Sequence, residues 1–231
     1  MDASSTFPSS SSLAPETAVA ETAETVETAV IEAEEAPKPE GVVYLSFDIE
    51  ADGDAPSVNN LLSIGIFAFD SSGSEVTTYQ RNLFPHPTKV ADERCIREFW
   101  DKHPEVSAFV KTNQVSPEQC MQEIADFYTG LKTKFAKIKW VARPAAYDWQ
   151  WLNCYYHEFG PADKPSIGFK ARCISTMFDV YKSNNQMTQE EEDAAWNEMT
   201  AGYAMTHKPL DDAEFQAVLY IGLCERLNMA L

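Results

Sequence analysis

Asp48 and Glu50 in YLSFDIEADG, Asp148 in AAYDWQWLN, and His207 with Asp212 in THKPLDDAEFQA are the residues of this chain best suited to chemistry. A fold that gathers them makes a carboxylate cluster with one neutral base beside it. Such a cluster is costly by itself, because two like charges about 4 Å apart repel by about 4 kcal/mol at an effective dielectric of about 20. Hard divalent ions such as Mg²⁺ or Mn²⁺ prefer oxygen ligands and relieve that repulsion. Two such ions can clamp an in-line phosphoryl displacement, which is the chemistry of a nuclease.

The elements that must position these groups are legible in outline. Residues 42–47 form a β-rich run that delivers Asp48 near a strand end, and residues 61–69 (LLSIGIFAF) form a second, largely buried strand. Gly73 turns the chain into a third strand over 76–83, giving an antiparallel hairpin. Helices are predicted over 92–101 and 116–134, the latter opened by Ser116-Pro117-Glu118 as cap, first-turn proline and early acid. A short strand over 138–142 precedes a helix begun by Asp148 and closed by Gly160-Pro161. Further helices are expected over 174–181 and 210–227, separated by a polar segment. This order predicts an α/β domain, a mixed sheet flanked by helices, over residues 41–231.

Residues 1–40 differ from the rest. They are Ser-rich, then built from Ala, Glu, Thr and Val, with Phe7 as the one aromatic residue. They are expected to form a disordered acidic tail, because they bury too little apolar surface to offset the entropy of ordering; the tail could instead recruit a basic partner. The tail lacks both the basic start and continuous apolar core of a secretory signal and the Arg-rich character of a transit peptide. No run is long and apolar enough for a membrane span. The five cysteines are odd in number and lack paired spacing, so they read as reduced thiols of a soluble, intracellular, cytoplasmic protein. Of the net charge of −18, the tail carries nine acids against one base and so −8, leaving −10 for the domain. An acidic domain is ill suited to gripping long duplexes and points to short or single-stranded partners. The lysines at 132, 134, 137 and 139 read as a solvated face.

Taken in order, the three acidic motifs resemble the DEDDh 3′–5′ exonucleases of the ribonuclease H-like superfamily, which includes oligoribonuclease and ribonuclease T. CIREFWDKHPEV and GFKARCISTMFDVY resemble the branch related to ribonuclease AS, and the resemblance spans about residues 42–231. It implies a ribonuclease H-like fold, two divalent cations (Mg or Mn) and hydrolysis of single-stranded 3′ ends, with RNA as the substrate and nucleoside 5′-monophosphates as products. It implies metal ligation by Asp48, Glu50, Asp148 and Asp212, with His207 taking a proton from the attacking water; its ordinary pKa of about 6.5 suits that role. Homodimerisation accompanies this architecture in relatives.

Substrate contacts are expected at Ala51 and Asp52, where the family's backbone meets the terminal nucleotide. Stacking is expected from Phe99, Trp100 and Trp149 (or Trp151), and a phosphate contact from Arg172 or Lys170. Each has a plainer alternative: a core aromatic, a surface charge, and for Asp148 a helix N-cap. Asp211 competes with Asp212 as the ligand, and Asp52 also reads as a surface polar group, as do Asp54, His86, His103 and His157. The acids at 190–193 read as a solvated face. Two rival functions are a DNA exonuclease of the same fold and a nuclease-like binding module without catalysis.

Overall fold

The structure is a computed structural model that describes residues 38–231. All but the last three residues of the predicted tail therefore lie outside the described residues. Three strands open the domain: β1 Val42–Ala51, β2 Leu61–Asp70 and β3 Glu75–Leu83. They are followed by α1 Glu93–Glu98, a 3₁₀ turn at Trp100–Lys102, α2 Pro104–Phe109, β4 Gln114–Val115, α3 Pro117–Lys132 and β5 Lys137–Ala142. The remainder is α4 Ala145–Phe159, β6 Ala171–Cys173, α5 Ile174–Asn185, α6 Gln189–Met199 and α7 Pro209–Arg226.

The strands form one six-stranded sheet in the order β4-β3-β2-β1-β5-β6, a mixed α/β arrangement as expected. β1 is interior, antiparallel to β2 and parallel to β5. Side chains alternate between the faces of a strand, so β1 serves two cores. Val43, Leu45, Phe47 and Ile49 face α3 and α4, packing with residues such as Ile124, Leu152 and Tyr155. Tyr44 faces the other way, joining Phe69, Val141 and the buried side of α7 through Leu219, Tyr220 and Leu223.

Several elements differ from expectation. Asp48 and Glu50 lie inside β1, which continues to Ala51 rather than ending with the run over 42–47. The helix predicted over 92–101 stops at Glu98, where Phe99 leaves helical geometry at φ −120°. The polar segment after residue 186 is a helix, α6, opened by a capping box between Thr188 and Glu191. The two-residue β4 and three-residue β6 are too short to show a period of two. α4 starts at Ala145 with Pro144 at its cap position, so Asp148 is a first-turn residue rather than the N-cap.

One glycine decides how α7 meets the sheet. Gly65 of β2 lies directly opposite Asp48 in the antiparallel register. A Cβ there would collide with the backbone of Pro209 and Leu210. The first turn of α7, which carries Asp212, can therefore lie against the sheet beside Asp48 only because residue 65 has no side chain. Gly65→Ala is expected to destabilise the domain by about 1–3 kcal/mol, through overpacking, and to lift Asp212 away from Asp48. Urea unfolding of both proteins checks the first effect; equal midpoints would contradict it.

Candidate active site

Asp48 and Glu50, two residues apart on β1, point to the α7 face of the sheet. Both side chains are buried, as are those of Asp148 and Asp212. Asp148 arrives from the first turn of α4, which springs from the C-terminal end of β5. Asp212 arrives from the first turn of α7. Asp211 beside it is exposed and accepts a hydrogen bond from the Thr206 hydroxyl at 3.0 Å. Of the two neighbouring acids, Asp212 is the one that faces the cluster.

Asp212 also builds the histidine loop. Its Oδ1 accepts the Thr206 N–H at 2.7 Å and its Oδ2 accepts the His207 N–H at 3.1 Å. His207 has φ +57°, a left-handed conformation costly for a residue with a Cβ. The two hydrogen bonds donated to Asp212 hold it there. His207 Nδ1 then lies 3.8 Å from Glu50 Oε1, with the imidazole about two-fifths exposed. Glu50, His207 and Asp212 each offer a ligand atom, and these atoms lie within 4.8 Å of one another.

The electrostatics are those of a site built for cations. Burial, then the charges of Asp148, Glu50 and Asp212, raise the Asp48 carboxyl well above its ordinary range, against the opposing hydrogen bond from Gln216. Glu50 is raised by burial and then by Asp212 and Asp148. Burial pushes Asp148 up to about 8. Its Oδ2 is buried without a hydrogen-bond partner among the described residues. Asp212 is raised by burial, partly offset by the Thr206 and His207 N–H groups. Crowded carboxylates, an orphaned oxygen and an all-oxygen donor set beside one imidazole fit a hard divalent cation.

The substrate-contact candidates divide. Phe99 lies at the site, its ring 5.0 Å from that of His207. Trp100 is buried, and its Nε1 donates to the Ala51 carbonyl at 3.1 Å. It therefore holds the backbone beside Glu50 in place and has no free face for a base, which corrects the stacking expectation. Asp52 is buried, not a surface group, and its two oxygens accept from the N–H and amide of Asn60 at 2.6 and 2.8 Å. It locks the loop after β1. Trp149 is half-buried against Phe47 and Trp140, on the opposite core, while Trp151 is fully buried. Arg172 donates to the Tyr220 hydroxyl and packs over the Tyr44 and Tyr220 rings, so its guanidinium is engaged within the fold. Lys170 is exposed on the chain beside it.

Two residues of the site had no motif behind them. The His103 ring lies 4.9 Å from that of His207 and 4.8 Å from that of Phe99, tilted to both, and so is a neighbour of His207 rather than an isolated surface group. Gln216 is fully buried and donates from Nε2 to Asp48 Oδ1 at 2.8 Å. Its one sequence signal is a polar residue four positions after Asp212, on the same helix face.

This arrangement is the ribonuclease H-like fold with a buried cluster of acids and one histidine at its rim. Residues 43–221 match the family described as the Rv2179c-like 3′-5′ exoribonuclease domain, and the chain belongs to that family. It is accordingly a 3′–5′ exonuclease. No curated protein matches the chain. Among solved structures it is similar to the nuclease domain of 3′hExo, a DEDDh family member bound to rAMP, at 13% identity and TM-score 0.56, covering 81% of this chain and 92% of that one. It is also similar to S. pombe Pop2p with bound Mg²⁺ and Mn²⁺, at 15% identity and TM-score 0.51, covering 81% and 84%. E. coli ExoI in a complex with single-stranded DNA and zinc gives 10% identity and TM-score 0.58, covering 81% of this chain but 41% of ExoI. These likenesses establish the fold. Among the described residues no helix is long and apolar enough to cross a membrane.

The buried acids set a pH dependence. A carboxyl whose folded pKa is raised contributes stability that is complete below its unfolded pKa and lost as pH rises through the folded one. For Asp148 that window runs from 3.8 to about 8. In EDTA the melting temperature is therefore expected to fall as pH rises across it, and Mn²⁺ or Mg²⁺ is expected to restore it at the upper end. Asp148→Asn should flatten both responses. Melting curves that ignore pH and cation alike would contradict this account.

Proposed function

We propose that this chain hydrolyses single-stranded RNA from its 3′ end, releasing nucleoside 5′-monophosphates. The observation that carries the reading is the convergence of Asp48, Glu50, Asp148 and Asp212 with a half-exposed His207 at the rim. The four carboxylates would hold two divalent cations of the Mg or Mn class, which when bound stabilise charge developing on the phosphate and the leaving 3′ oxygen.

The chain's own groups do the rest. His207 accepts the proton of the attacking water, reaching solvent on one side and Glu50 on the other. Asp212 fixes the loop that aims it, and Phe99 and His103 confine its ring. The Ala51 backbone, held by the Trp100 indole, receives the terminal nucleotide, and Phe99 provides a face for its base. Family membership supports RNA as the substrate, and the acidic surface supports single strands over duplexes.

The test is digestion of 5′-labelled single-stranded RNA and DNA oligomers with Mg²⁺ or Mn²⁺. A ladder shortening from the 3′ end is expected, faster on RNA and abolished by EDTA or by Asp48→Ala. His207→Ala should lose about 10²- to 10⁴-fold in rate, the usual worth of a general base. Binding of RNA without cleavage under any metal would identify a binding module instead, and faster cleavage of DNA would reverse the sugar preference.

A further inference from the structure

Arg143 has no role in the account so far, yet the topology puts it beside the carboxylates. β1 and β5 run parallel with Ser46 opposite Val141. Two residues past Val141, Arg143 leaves the end of β5 in the turn into α4, with its charge in range of Asp48. Both point to the same face: Val141 shares the second core with Tyr44, and the Arg143 guanidinium lies 4.5 Å over the Trp196 ring of α6.

An arginine next to four acids would ordinarily pair with one of them. Arg143 pairs with no carboxylate within 4 Å among the described residues. Its recorded contact besides the Trp196 ring is Nη1 to Met205 Sδ at 3.6 Å. This happens in a chain with 36 acids and 18 bases. The guanidinium borders a cavity of about 410 Å³ walled by Ser175, Phe178 and Trp196. The cavity's other cation, Lys182, is already held by Asp179 and Glu192, each at 3.3 Å. Asp193, also at the cavity wall, accepts from Gln189. Arg143 is thus a charged fork, fixed by an aromatic plate and left with donors to give.

We propose that Arg143, braced by Trp196, binds a backbone phosphate of the substrate on the 5′ side of the scissile bond. A planar guanidinium matches a phosphate bidentately. The direction follows from the function proposed above: the Ala51 backbone that would receive the terminal nucleotide pairs with Leu61 of β2, and Arg143 leaves β5 on the other side of β1. This inference rests on the exonuclease reading above.

The test compares wild type, Arg143→Ala, Arg143→Lys and Lys132→Ala on 5′-labelled single-stranded RNA with Mg²⁺, at several salt concentrations. Arg143→Ala is expected to raise KM about tenfold or more with kcat little changed. It should also reduce the slope of log kcat/KM against log salt by about 0.7, one phosphate contact on a single strand. Arg143→Lys should keep the slope and still raise KM, and carries the test if the alanine variant melts early. Lys132→Ala, on the exposed far end of α3, should match wild type. Unchanged KM and slope in the arginine variants, or a loss confined to kcat, would overturn the inference. A wild type inactive on RNA would instead sink the exonuclease reading itself.

Discussion

Asp48, Glu50, Asp148 and Asp212 are buried within range of one another's charge, and each is pushed toward its protonated form by burial and, for Asp48 and Glu50, by its neighbours. A stable fold would not ordinarily assemble such a group, since desolvating one carboxylate is unfavourable and crowding several compounds it. The surrounding structure is the set of constraints that makes the crowding hold. Three rigid elements bring the four acids in from separate directions: an interior strand and the first turns of two helices. Under the function proposed above, a divalent cation would relieve that crowding on binding.

The elements around the cluster do different work. The sheet gives position, because β1 is paired on both sides and cannot slide without turning Asp48 and Glu50 to the wrong face. Gly65 gives proximity by letting α7 touch the sheet. Gln216 and the loop before α7 give orientation, one fixing an oxygen of Asp48 and the other suspending His207 from Asp212. Trp100 does the same for the backbone after Glu50. In each case a buried hydrogen bond, where the alternative is an unsatisfied polar atom, fixes a group that must not wander.

Most of the acids and the histidine were legible in the sequence because their spacing is local: Asp-x-Glu on a strand and His five residues ahead of an acid in the first turn of a helix. The main strands and long helices were legible for the same reason, through periods of 2 and 3.6. What was not legible depends on tertiary placement. Trp100 looks like a stacking residue until Ala51 folds over it, and Arg172 looks free until Tyr220 packs against it. His103 and Gln216 carry no motif, and only the three-dimensional fold brings one to His207 and the other to Asp48. The helix α6 was hidden by its polar composition, although Thr188 and Glu191 stood at the spacing of a capping box.

The docking of α7 against Gly65 has a consequence for when the enzyme exists. The site joins residue 48 to residue 212, and a ribosome delivers those residues in that order. A nascent chain that has completed its sheet still lacks Asp212, His207 and the hydrogen bond to Asp48 from Gln216. Nuclease competence therefore cannot precede the synthesis of α7.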